Sequence, residues 1–268
     1  MNRGKAMEYK EIKLETDQRG VAWLTLNREA KHNSMNSQMM REILGACKEL
    51  SDLESVRAVV LTGSGEKSFS AGADLGWMRE NFERSREERM AESSMLADML
   101  EALNGLDKIT IARINGQAYA GGVGLICVCD IAISVKTARF ALTETRLGLT
   151  PANISPYVME RLGMSNCRRI LLNSHFFGAQ EALSMGLIHK RVDPGELDQV
   201  VEAEIQSCLD CAPGAVATTK QLLRRVSAQS ADENRKYTAE LLAEVWETEE
   251  AQSGIRAFFD RKPPPWKY

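Results

Sequence analysis

The chain is 268 residues long, with 44% apolar and 26% charged residues, the balance of a soluble globular protein with room for a sizeable core. A formal net charge of −3 and an isoelectric point near 5.8 give no general electrostatic reason to bind nucleic acid or an anionic membrane. Six scattered cysteines without framework spacing point to reduced thiols and a cytoplasmic setting.

The opening stretch MNRGKAMEYKEIKLE contains no apolar signal core, and no run reaches membrane-spanning length. Residues 8–27 read as two short strands joined at Asp17-Gln18-Arg19-Gly20, a hairpin signal. Ser34 or Asn36 is the expected cap of a helix whose apolar stripe is Met35, Met39, Ile43 and Cys47. VRAVVLTGSG (56–65) is a buried strand ending in a glycine loop, and 79–92 is a charged, solvated stretch. That stretch leads into a helix with Leu96, Met99, Leu100 and Leu103 on one face. Ile109–Ile114 is a further strand, a helix starts near Gly121, and CDIAISV is the next strand.

The alternation predicts an α/β architecture with a largely parallel sheet. From about Gly178 the character becomes helical and amphipathic, with Leu197, Val201, Ile205 and Leu209 as one stripe. The organisation expected is an α/β core over 1–195 and a helical appendage over 196–268 that packs against partner subunits. The tail RKPPPWKY cannot continue a helix. Cys127-x-Cys129 and Cys208-x-x-Cys211 have no histidine or further cysteine at ligand spacing, so no metal site is expected.

Two places combine a strand end, a glycine turn and an apolar helix: Phe69 to Leu75 and Ala120 to Leu125. Small residues there admit close approach to the main chain, and a helix starting at Gly121 would point free N–H groups at a negative charge. Gly122-x-Gly124, with Glu144 some twenty residues on, partly matches a dinucleotide fingerprint, but Cys127 stands where the third glycine belongs. On the spacing alone, glycines that serve only tight packing stand level with a site for a developing oxyanion.

FSAGADL, NGQAYAGGVGLICVCDIAIS, ARFALTETRLGLTP and ALSMGLIHKRV, in this order, closely resemble the enoyl-CoA hydratase/isomerase (crotonase) family. The GGVGL … SPYV variant looks like its methylglutaconyl-CoA and isohexenylglutaconyl-CoA hydratase branch. The resemblance implies a crotonase-like spiral of ββα units with C-terminal helices forming a homotrimer or a hexamer of paired trimers. It implies an acyl-CoA substrate and no cofactor, the thioester being the substrate itself. It assigns the two oxyanion-hole N–H groups to Ala73 and Gly121, the proton-moving carboxylate to Glu144, and CoA contacts to Lys31, Ala71, Ala73, Leu75 and Gly121. Without it, Glu144 is one of 37 acidic residues.

One departure stands out. The family's first glutamate falls at Gly124, which has no functional group. Hydration of a branched, carboxylated 2-enoyl-CoA remains the leading expectation, and Δ3,Δ2-enoyl-CoA isomerisation by Glu144 alone is the alternative. Decarboxylation and a non-catalytic scaffold role rank below both. Thr143 or Asn153 could replace the lost carboxylate, Arg79 could meet a carboxylated tail, and Trp77 and Met78 could line the acyl site. One RNA-binding relative uses a lysine-rich first helix; here Arg41 and Lys48 face Glu42, Glu49, Asp52 and Glu54, so no nucleic-acid partner is expected. Lys220, Arg224 and Arg225 read as a solvated face or a subunit contact, and Lys262 and Lys267 as neighbours of CoA phosphates.

Overall fold

The fold begins with a hairpin, β1 (Ile12–Thr16) and β2 (Val21–Leu26), whose turn is tied by Asp17 accepting from the N–H groups of Arg19 and Val21. The structure, a computed structural model, describes residues 9–267. Residues 1–8, most of the stretch read for a signal core and the first residue of the first expected strand, lie outside the described residues, as does Tyr268.

From β2 onward the chain alternates between two sheets. β3 (Ala58–Gly63), β5 (Ile109–Ile114) and β7 (Ile131–Val135) add in parallel to β2. Each is followed within a few residues by a strand of two or three paired residues in a second sheet: β4 (Ser68–Ser70), β6 (Gln117–Tyr119) and β8 (Arg139–Ala141), also in parallel. Helices close each turn: α2 (Leu75–Glu83) and α3 (Arg86–Asn104), then α4 (Gly121–Cys127), then α5 (Ser155–Leu171). This is the spiral of ββα units that the resemblance implies. β9 (Phe177–Gly178) joins the small sheet antiparallel to β8, and after α6 (Ala179–Met185), β10 (Lys190–Val192) closes the large sheet beside β7.

The first helix, α1 (Ser37–Asp52), is capped by Asn36, which accepts from the Met39 N–H at 2.9 Å. Its stripe of Met39, Ile43 and Cys47 is buried. The charged stretch 79–92 is helical on both sides of a break at Arg84-Ser85, where Ser85 and Glu88 form a capping box. Its charge masks the period, because most of these residues face solvent.

α7 (Leu197–Leu209) buries Leu197, Val201, Ile205 and Leu209 in the main core. The helices beyond it, α8 (Pro213–Ala228), α9 (Ala231–Glu247) and α10 (Glu249–Phe259), have no buried residue. Polar contacts help to hold them. Glu250 accepts from the first N–H groups of α8, at Gly214 and Ala215 (3.0 and 2.9 Å), and Lys220 reaches Asp130 at 2.6 Å. Arg224 pairs with Glu101, and Arg225 lies over the Tyr237 ring. The expected basic cluster is therefore spent inside the chain, docking α8 and α9. Lys262 and Lys267 pair with Asp260 and Asp210.

β1 is an edge strand, and Glu42 of α1 protects its start. The buried carboxylate accepts from the N–H groups of Lys10, Glu11 and Ile12 (2.9, 2.8 and 3.2 Å) and from Gln38. Burial pushes this carboxyl upward, but the Gln38 and backbone hydrogen bonds outweigh it and hold the group below the ordinary carboxylate range. A lowered folded-state pKa stabilises the fold above the unfolded value and ceases to do so as pH falls through the folded one. Glu42→Ala should cost roughly 2–3 kcal/mol. In Glu42→Gln, denaturant unfolding followed from about pH 6 to pH 3 should show a shallower acid loss than the parent.

Candidate active site

β4 delivers the first loop. After Ser70 the chain turns at Gly72, whose φ of +84° suits only glycine without strain. Met35 brackets the loop: its N–H donates to Gly72 O at 2.7 Å and its carbonyl accepts from Asp74 N at 2.8 Å. Ala73 sits between those two bonds, and its N–H has no acceptor among the described residues. Asp74 caps α2 by accepting from the Trp77 N–H at 3.0 Å and pairs with Arg28 at 3.1 Å. Burial raises the Asp74 carboxyl, but these partners outweigh that and hold it below the ordinary range, so the loop's far end is fixed by an ionised group.

β6 delivers the second loop. Ala120 turns the chain into α4 with φ +47° and ψ −118°, a strained conformation for a residue with a Cβ, costing of order 1–3 kcal/mol. The N–H of Gly121, the first helical residue, has no acceptor among the described residues. A Cβ on Gly121 would overlap Met35 Cε, and one on Gly122 would strike the main chain of Ser70. The paired glycines thus let α4 rest directly on the β4 loop. A Cβ on Gly72 would stand 3.4 Å from the Gly121 nitrogen, so the two loops touch and both free N–H groups lie at their junction.

Glu144 arrives through β8. Ala120 N donates to Ala141 O at 2.8 Å, and Glu144 follows three residues later at the start of a 3-10 turn (Glu144–Leu147). The side chain is half-buried, and its Oε2 is buried with no hydrogen-bond partner among the described residues. Burial pushes its carboxyl above the ordinary range, its own backbone N–H pulling weakly the other way. A carboxyl desolvated in this way keeps its proton more readily than one in water.

The family model for enoyl-CoA hydratase/isomerase matches residues 16–268. The chain belongs to the enoyl-CoA hydratase/isomerase family. A short-chain-enoyl-CoA hydratase of Clostridium acetobutylicum is 33% identical over 258 residues, covering 96% of this chain and 97% of that one. A crystal structure of an enoyl-CoA hydratase from Shewanella pealeana superimposes with a TM-score of 0.93 at 34% identity, covering 97% of each chain. Pseudomonas aeruginosa AtuE matches with a TM-score of 0.93 at 33% identity, over 97% of this chain and all of that one (100%).

Within this family the departure at Gly124 has a structural counterpart. A Cβ added there would lie 3.0 Å from Ile154 Cβ and closer still to its Cγ2. Ile154, only 3% exposed, fills the space that a side chain at 124 would need. Asn153, one candidate replacement for the lost carboxylate, turns away: its amide donates to the carbonyl and hydroxyl of Ser93 (3.0 and 2.9 Å). Thr143 is half-buried beside Glu144.

The other expected contacts spread more widely. The Ala71 N–H is engaged by His32 O at 2.9 Å. Leu75, at the start of α2, is exposed, and Lys31 stands exposed on a 3-10 turn (Glu29–Lys31). Trp77 packs on the core and donates Nε1–H to Glu92 at 2.7 Å, so its polar edge is tied to α3. Arg79 is exposed and has no ion pair or side-chain hydrogen bond among the described residues. Two residues the sequence reading passed over are Met35, seen only as part of a helix stripe, and Ile154; a contact thirty residues from Gly124 leaves no local signal.

Glu144 also has a stability signature. A raised folded-state pKa costs nothing at low pH, where folded and unfolded chains are both protonated, and destabilises once pH rises through it. Glu144→Gln should therefore melt higher than the parent at pH 7, and this gain should vanish below about pH 4. Calorimetry at the two pH values checks it.

Proposed function

We propose that the chain, an enoyl-CoA hydratase of the crotonase family by kinship, adds water to a branched, carboxylated 2-enoyl-CoA of the methylglutaconyl type, using Glu144 as its one proton-moving group. The observation that carries this reading is a half-buried carboxylate with an oxygen unpartnered among the described residues, three residues after Ala141, whose carbonyl accepts from the Ala120 N–H just before Gly121. The thioester oxygen sits between the Ala73 and Gly121 N–H groups. Glu144 takes a proton from water as the water oxygen bonds to C3, and the C2=C3 electron pair moves onto the thioester oxygen as an enolate. The two N–H groups stabilise that charge more than the neutral carbonyl, which is the differential binding catalysis needs. Glu144 then returns the proton to C2, the enolate collapses to the thioester, and the net change is one water gained.

Lys31, Ala71 and Leu75 lie along the CoA side of this arrangement, and Arg79 supplies a cation for the distal carboxylate. The reduced state of all six cysteines suits the cytoplasm. The unburied helices α8 to α10, with Leu242, Trp246, Phe258 and Phe259 exposed, fit assembly into a homotrimer or a dimer of trimers. Native mass spectrometry should give three or six copies; a monomer would refute that assembly.

Incubation with 3-methylglutaconyl-CoA should give a product heavier by one water, absent with Glu144→Ala. A mass-neutral conversion of a 3-enoyl-CoA, with no water gained by 2-enoyl-CoAs, would make the enzyme an isomerase instead. Gly121→Val should lower kcat by roughly 10²–10³-fold with a native circular dichroism spectrum, because it displaces one donor of the pair.

A further inference from the structure

The 3-10 turn that carries Glu144 has little of its own to hold it. It is four residues long and buries none of them, and the hydrogen-bond geometry of such turns is poorer than that of an α-helix. The Glu144 Oε2 has no hydrogen-bond partner among the described residues, so this oxygen does not anchor the turn either. The two residues after Glu144 both reach one other residue, Ser174, in the link between α5 and β9. The Thr145 hydroxyl shares a hydrogen bond with the Ser174 hydroxyl at 2.7 Å and lies 3.3 Å from the Leu171 carbonyl at the end of α5. Arg146 donates from Nη2 to the Ser174 carbonyl at 2.9 Å. Ser174 itself is wholly buried. Its φ is +48°, a left-handed conformation that persists in a residue with a Cβ only where its surroundings over-determine it.

We propose that Ser174 is a positioning residue: through Thr145 and Arg146 it fixes the turn from which Glu144 reaches the substrate. The inference rests on reading Glu144 as the proton carrier. The same link also reaches toward the other half of the site. The Arg146 guanidinium lies 4.9 Å from the centre of the Phe176 ring, and Phe176 meets Tyr119 edge to face at 5.7 Å. Tyr119 ends β6, one residue before Ala120 and two before Gly121. Residues 174–176 therefore connect the turn of Glu144 with the strand that delivers the Gly121 N–H. A carboxylate that moves a proton to carbon works only within a narrow range of distance and direction, and an error of about 1 Å can cost roughly a hundredfold in rate. Ser174 contributes position, not a proton.

The test follows hydration of 3-methylglutaconyl-CoA and of crotonyl-CoA by the intact chain. Thr145→Val, which keeps the shape and removes the hydroxyl, should lower kcat about tenfold or more while KM changes less than about twofold. Thr145→Ser should restore kcat to within about twofold of the parent. Ser174→Ala should match Thr145→Val, and the double variant should be no slower than either alone, since both remove one bond. In a Glu144→Ala background, Thr145→Val should leave the remaining rate unchanged, because the group it positions is gone. A loss of the same factor in both backgrounds, or one shared equally by Thr145→Ser, would mean that the contact only supports the fold. Either result would overturn the proposal while the hydratase reading stands, and so would an unchanged kcat in Thr145→Val. If Ser174→Ala does not fold, the two Thr145 variants decide. A parent inert toward both substrates, or one whose rate survives Glu144→Ala, would sink the Glu144 reading and this inference with it.

Discussion

The contact on which the site depends is the seating of α4 on the β4 loop. It works because Gly121 and Gly122 present no side chains where Met35 and the Ser70 main chain come in. From that contact follow the touching loops, the Ala73 and Gly121 N–H groups without acceptors among the described residues, and the strained Ala120 turn between β6 and α4. Strain of this kind persists only where its surroundings over-determine it. Here the surroundings are the parallel β4–β6–β8 ladder and the two hydrogen bonds from Met35. Arg28 extends the same restraint outward, linking Asp74 to Glu11 and to the Ser34 carbonyl.

Glu144 belongs to a different physical regime. Asp74 and Glu42 are carboxylates held ionised by donors, and they fasten structure. Glu144 has a buried oxygen without a donor among the described residues and is pushed the other way. Three acids in one chain thus divide by environment into two fasteners and one without a donor, the proton carrier of the proposed mechanism. Ile154 and Leu100 make the surroundings of Gly124 on α4 apolar, which supports a proposed mechanism with one proton-moving group rather than two.

The hairpin, the alternation of strand and helix and the buried stripe of α1 were all legible in the sequence, because each follows a local period or turn rule. The second sheet was not legible from periodicity, since β4, β6 and β8 are three residues each and too short to show alternation. It entered only through the family resemblance. α2 and the start of α3 hid behind their charge. At the site, the glycine pair signalled close approach by itself, whereas Glu144 needed the motif around it to stand out among other acids. What fills the place of the first glutamate could not be read, because Ile154 meets Gly124 only after α5 has folded back on α4.

The most direct test of a single-carboxylate mechanism is the pH dependence of kcat/KM for hydration. Glu144 must start ionised, so activity should fall toward acid with one ionisation, its midpoint above the ordinary glutamate value of about 4.3. Toward alkali the profile should stay level, since no second carboxyl has to begin protonated. A bell-shaped profile with a second ionisation in the carboxyl range would mean that another acid shares the work, and would contradict the account.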